Sequence, residues 1–151
     1  GERSGGGCLD IYSETAISET LMASKKPVYW IGSSKENLSA FPQPVKDFMG
    51  FALHQAQVGG KHEAVKPLRG FGGGGVLEIV EDHDGDAYRG VYTVKFANAV
   101  YVLHAFQKKS TRGIKTSKGD IELIRKTLKV AEADSKAELN AKETSDAKGT
   151  R

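Results

Sequence analysis

The rhythm of apolar residues changes along the chain, and the changes mark its elements. Val28-Tyr29-Trp30-Ile31 is a run of β-forming side chains and predicts a short strand. Ser33 or Ser34 stands where a cap is wanted for a short helix through Lys35-Glu36-Asn37-Leu38. Pro42 and Pro44 end that helix and open the next, since proline is tolerated in a first turn. Val45, Phe48, Met49, Ala52, Leu53 and Ala56 then recur at helical spacing and predict one buried helix face. Gly59-Gly60 supplies the stop.

The second half switches to a period of two. Val76-Leu77-Glu78-Ile79-Val80 predicts a strand, and Asp82-His83-Asp84-Gly85-Asp86 a polar turn. Tyr88 to Phe96 predicts the next strand, with Tyr88, Tyr92, Val94 and Phe96 set against Arg89, Thr93 and Lys95. Ala97-Asn98-Ala99 turns the chain, and Val100 to Lys108 predicts a third strand. After a polar stretch from Ser110, Ser117 caps a last helix, with Asp120 at its N3 position and Ile121, Ile124, Leu128 and Ala131 as its apolar stripe. The order strand, helix, helix, three strands, helix predicts an α+β fold. In it a small antiparallel β-meander is packed on one face by N-terminal helices and a C-terminal helix. The opposite face is then left as an open, polar concavity.

The chain ends read differently. Gly1 to Gly7 is glycine-rich and polar. Leu9, Tyr12, Ala16, Ile17 and Leu21 recur at near-helical spacing, which allows a short helix. Met22 reads as a candidate natural start, which would make residues 1–21 a leader or a non-native extension. Residues 22–133 form the domain. Residues 134–151 are rich in Ala, Lys, Glu and Ser, with Leu139 their only large apolar side chain, and predict a polar, flexible tail or a frayed extension of the last helix.

Composition narrows the classes. A length of 151 residues suits one domain. No apolar run approaches the ~20 residues that span a bilayer, so no membrane partner is expected. Cys8 is the only cysteine, which excludes an internal disulfide and fits a reducing, cytoplasmic setting. The net charge is +3, but residues 1–21 carry −3 and residues 134–151 are neutral, so the middle carries +6. A basic middle on a small domain suits nucleic acid or another polyanion, as well as an ordinary solvated surface.

Several motifs resolve into structure rather than chemistry. Gly70-Phe71-Gly72-Gly73-Gly74-Gly75 is followed by a strand and by no Lys-Ser/Thr, so it is a connection and not a phosphate loop. Asp82, Asp84 and Asp86 lack the glycine position and closing glutamate of a calcium loop. His54, His62, His83 and His104 lack zinc-ligand spacing. No metal or cofactor is expected.

Strand parity gives the better constellation. If Tyr92 and Val94 face the helices, Arg89 and Lys95 face away. His104 and Lys108 from the third strand and Glu78 from the first would join them, with Lys66, Arg69, Lys109, Arg112 and Lys115 on loops beside that face. A basic concavity holding an imidazole and a carboxylate suits RNA cleavage. His104 or Glu78 would act as base or acid, and Arg89 and Lys108 would stabilise the phosphorane. The structural alternative is that His104 packs beneath the meander and Arg89 pairs with Glu78 across strands.

Those stretches also carry a family likeness. Pro27 to Ser34, Lys66-Pro67-Leu68-Arg69-Gly70, Leu77-Glu78-Ile79, Tyr88-Arg89-Gly90-Val91-Tyr92 and Val102 to Lys109 occur in an order and spacing that resembles the phage-derived, HigB-like branch of the RelE/ParE toxin superfamily, from about Lys26 to Ala133. The resemblance implies the toxin of a type II toxin–antitoxin system, a ribosome-dependent mRNA endonuclease. Its expected partners are the ribosome, mRNA and a cognate antitoxin, usually a helix-turn-helix protein. It matches Arg89 to the arginine of a tyrosine–arginine strand motif, Lys108 or Lys109 to the basic residue closing the last strand, and Lys66 and Arg69 to a basic motif before the meander. The chain departs from the best-known RelE proteins where Glu78, Glu81 and Asp82 replace strand lysines, and Ile114 and Lys115 lie nearest to a missing aromatic residue. ParE-like inhibition of DNA gyrase by binding, and a non-toxic phage-related interaction role, are the competing expectations.

Overall fold

The computed structural model describes residues 25–72, 75–108 and 116–149, with side chains described as far as residue 141. Five strands form one mixed sheet: β1 (Val28–Trp30), β2 (Val65–Pro67), β3 (Val76–His83), β4 (Asp86–Thr93) and β5 (Val100–Lys108). Their spatial order is β1-β5-β4-β3-β2. The helices are α1 (Ser34–Ser39), α2 (Gln43–Gln57) and α3 (Lys118–Gly149). The fold is α+β, and β3, β4 and β5 form the expected meander.

The hairpin between β3 and β4 closes on Asp84 and Gly85, both at positive φ, directly inside the His83–Asp86 pair. Two left-handed residues in a two-residue loop match the right-handed twist of the strands, and Gly85 takes that conformation without a Cβ penalty. The expected polar turn thus shrinks to these two residues, since Asp82 and His83 belong to β3 and Asp86 to β4, and β4 ends at Thr93 rather than continuing to Phe96.

Two strand features are absent from the local pattern. β2 is a three-residue edge strand, antiparallel to β3, with Lys66 and Pro67 exposed. It is too short to show a period, and proline is tolerated there because an edge N–H is not needed. β1 pairs with β5 in parallel, Val28 with Val100 and Trp30 with Val102.

Both faces of the sheet are covered, which corrects the expectation of helices on one face only. On one face Leu77, Ile79, Tyr88, Tyr92, Val100 and Val102 pack under α1 and α2. Gly90 lets α2 approach closely, since a Cβ there would stand 3.2 Å from the Met49 sulfur. On the other face Val76, Val91, Tyr101 and Leu103 pack with Ile124 and Ala131 of α3. The cause is visible in Val100-Tyr101-Val102-Leu103, where every side chain is apolar and both faces need cover.

The helices follow their sequence signals with two differences. Val45, Met49, Ala52, Leu53 and Ala56 are buried along α2 as the period requires. Ser33 occupies the N-cap position of α1 without a side-chain cap bond; Ser34 instead donates to Val102 O. The second difference lies beyond residue 133: of the two readings of that segment, a flexible tail or an extension of the last helix, the helix is observed, since α3 runs on to Gly149. Its later turns are held by polar contacts that an apolar criterion misses. Ser135 donates to Asn98 Oδ1 at 2.6 Å, and Glu138 accepts from Tyr29 and Asn98, each at 2.7 Å. Tyr101 donates to Asp134 at 2.9 Å, and burial, first, pushes its phenol up to about 12. Residues 1–21, with their leader or helix reading, lie outside the described residues.

Candidate functional site

Among the described residues the cover of the sheet leaves a gap between β2 and the start of α3. A cleft of about 580 Å³ lies there, lined by Lys66, Pro67, Leu68, Arg69, Glu78, Arg89, Thr116 and Ile121. Lys66 and Arg69 are exposed on its rim because β2 is an edge strand that turns away after Leu68. Glu78 and Arg89 form its floor, projecting from neighbouring strands on the α3 side of the sheet. They are diagonal partners, since Glu78 lies opposite Val91 and Arg89 opposite Val80.

Arg89 and Glu78 meet in a buried ion pair. Arg89 Nη1 donates to Glu78 Oε2 at 2.6 Å, with only 6% of each side chain exposed. Thr116, just ahead of α3, donates its hydroxyl to the same oxygen at 3.0 Å. Both donors therefore converge on Oε2. Paired burial of this kind is tolerated because charge-assisted bonds replace the lost hydration.

A second polar group fixes the helix start from another strand. Ser117 Oγ accepts from the Asp120 N–H at 3.2 Å and donates to Asp120 Oδ2 at 2.7 Å. Asp120 Oδ1 stands 2.9 Å from His104 Nε2, and the imidazole stacks on Phe106 at 4.8 Å. Burial acts to raise Asp120. The bonds from Ser117 and His104, with the charges of His104 and Lys108, together outweigh it and hold the carboxyl below its usual value.

His104 reaches this face through a bulge. Val91 pairs with His104 but Tyr92 pairs with Val102, so Leu103 is an extra residue and both Leu103 and His104 turn toward α3. Simple alternation also assigned His104 to that face, but by setting it opposite Leu103.

The structure thus brings together some of the expected residues and separates others. Glu78, Arg89, Lys66 and Arg69 share the cleft. His104 does not line it, being covered by Asp120 on the β5 side, which corrects the picture of an imidazole inside the same concavity. Lys108 lies on the His104 side, close enough for its charge to act on Asp120. Lys95 follows the end of β4, its stem against Gly75, six residues and roughly 20 Å of strand from Arg89. It is not part of the cleft. Lys109, Arg112 and Lys115 lie outside the described residues. Thr116 and Asp120, the partners of the two strand groups, were not foreseen as site residues; the Ser117–Asp120 cap spacing was the available signal.

Among the described residues no group of three His, Cys, Asp or Glu side chains could hold a metal ion, and no helix is long and apolar enough to cross a membrane.

Comparison with known proteins agrees with the phage-derived part of the likeness. No curated protein matches the chain. The family described as phage derived protein Gp49-like (DUF891) matches residues 36–129, a stretch that contains the whole meander, the cleft and the first turns of α3. The chain belongs to this Gp49-like family, which is associated with the toxins of toxin–antitoxin systems.

Proposed function

We propose that the protein is the toxin of a type II toxin–antitoxin system, of the HigB-like branch of the RelE/ParE superfamily, and that it cuts messenger RNA on the ribosome. The observation that carries this reading is the cleft, which sets a guanidinium and a carboxylate on its floor beneath two exposed cations. Lys66 and Arg69 would hold the RNA backbone as positioning contacts. Glu78, with both donors on Oε2, has its other oxygen to take the proton of a ribose 2′-OH. The 2′ oxygen then attacks the adjacent phosphorus, and Arg89 stabilises the charge of the phosphorane. The bond to the 5′ oxygen breaks, leaving a 2′,3′-cyclic phosphate, and an acid returns a proton to the departing oxygen. Lys108, from the neighbouring strand, is the group this reading names for that step, since His104 lies outside the cleft behind Asp120. The further partners in it are the ribosome and a helix-turn-helix antitoxin, with the cytoplasm as the site of action.

The ion pair itself favours a second reading. Arg89 and Glu78 pair with each other inside the fold, as purely structural groups do, which suits a ParE-like gyrase inhibitor or another binding protein. The deciding experiment is cleavage of a defined message by the purified chain, with and without ribosomes, alongside Glu78→Gln and the Lys66→Ala/Arg69→Ala double variant. Cuts that need ribosomes and vanish in Glu78→Gln support the nuclease. Inhibition of DNA supercoiling without any cut, unaltered by Glu78→Gln, would overturn it.

A further inference from the structure

Next to the cleft, Arg125 of α3 meets Phe71 of the segment that follows β2. Ile121 lines the cleft from α3, and Arg125 follows it by four residues on the same helix face. On the other wall Gly70 directly follows the lining residue Arg69. Arg125 joins the two walls. Its Nη2 donates to Gly70 O at 3.1 Å, and its guanidinium carbon stands 4.8 Å from the centre of the Phe71 ring.

Arg125 is exposed, yet both contacts hold it in place; Phe71 is half-buried and packs against the α3-side core. An exposed arginine ordinarily loses side-chain entropy when it is recruited to a ligand. Here the guanidinium is already held over a ring by a cation–π contact while the side chain stays exposed. A planar, weakly hydrated cation of this kind stacks well on nucleobases, whereas a lysine ammonium does not.

We propose that Phe71 and Arg125 form a base-stacking subsite, which takes the nucleobase next to the phosphate held by Lys66 and Arg69. This rests on the RNA reading of the cleft and adds to it the ligand's chemical class: a single-stranded segment with one base unstacked from its neighbours. It also assigns a role to the glycine-flanked Phe71. The chain turns at positive φ on both sides of it, at Gly70 and Gly72, and so presents the ring to α3.

The test uses the full chain and two fluorescent probes, a short single-stranded RNA and an abasic strand with the same number of phosphates, at one fixed salt concentration. Arg125→Lys keeps the charge and removes the plane. It should weaken RNA binding about tenfold and leave the abasic strand within about twofold. Equal weakening on both probes would reduce Arg125 to a charge or loop-fixing role and overturn the subsite, as would no weakening on either. Phe71→Leu, which removes the ring beneath the guanidinium, should reproduce the RNA-selective loss. Failure of the unaltered chain to bind either probe would sink the RNA reading of the whole cleft, a result distinct from the loss of the subsite alone.

Discussion

Replacing Arg89 by alanine removes one half of an ion pair of which only 6% of each side chain meets solvent. The partner, Glu78, keeps the Thr116 hydroxyl at 3.0 Å but loses the guanidinium at 2.6 Å. An uncompensated buried charge of this kind costs about 3–5 kcal/mol. For a folded body of this size that is a fall in melting temperature of roughly 10–20 °C. The companion variant removes both charges at once: Arg89→Met with Glu78→Leu keeps the volume and leaves no stranded carboxylate. It should recover most of the loss and end within about 1–2 kcal/mol of the parent, or above it. Urea unfolding of the parent, Arg89→Met, Glu78→Leu and the double variant, read by circular dichroism, gives the coupling energy between the two positions. A single variant that loses less than about 1 kcal/mol, or a double variant as unstable as Arg89→Ala, would refute the argument that the pair owes its place to mutual neutralisation. The result also governs how cleavage assays are read. A dead Arg89→Ala protein is uninformative if it is unfolded, and Glu78→Gln, which keeps the side chain's shape but strands the guanidinium, needs the same check of folding.

Three further outcomes follow from single groups. Asp120 is held below its ordinary value of 3.8, so its contribution to stability is full above that pH and is lost as the pH falls through its own lower pKa; Asp120→Asn should flatten the stability profile in that acid range, and identical profiles would sink the idea. The Tyr92 hydroxyl has no hydrogen-bond partner among the described residues, and burial pushes its pKa up to about 12, so Tyr92→Phe should be neutral or stabilise by about 1 kcal/mol in urea, not destabilise. Asn98 donates to Tyr101 and Glu138 and accepts from Ser135, so Asn98→Ala should expose the later turns of α3 to hydrogen exchange while leaving the first turns protected.

The elements that could be read from the sequence are those whose burial is one-sided and local. The α2 face and the alternation in β4 set their own period, and each side chain that was expected inside the helix except Phe48 is fully buried. Partner choice is not a local property. Nothing near Val28 announces a parallel ladder to Val100, and three residues at Val65–Pro67 carry no period at all. The second covering helix was legible in principle, since Val100 to Leu103 has no polar side chain to offer solvent, but strand alternation elsewhere pointed to a single buried face. In the site, parity sufficed for Glu78 and Arg89 because their ladder is regular. On β5 it put His104 on the observed face but Leu103 on the wrong one, because the bulge turns both toward α3, and it could not foresee that Asp120 would cover the imidazole. Lys66 and Arg69 were expected beside that face from the pattern and again from the family likeness, and both line the cleft.

The pairing of β1 with β5 has a consequence for the chain as it is being made. The β3–β4 hairpin can close as soon as β4 has followed the two-residue turn out of the ribosome, because its partners are neighbours in sequence. Val28-Tyr29-Trp30 is made first and finds its partner last, since Val100 lies 72 positions further on. At about 5–20 residues per second, that separation leaves the segment unpaired for roughly 4–14 s during synthesis. For that interval an apolar strand with a free backbone edge waits outside the tunnel, open to chaperones or to a newly made copy of the same segment on a neighbouring ribosome.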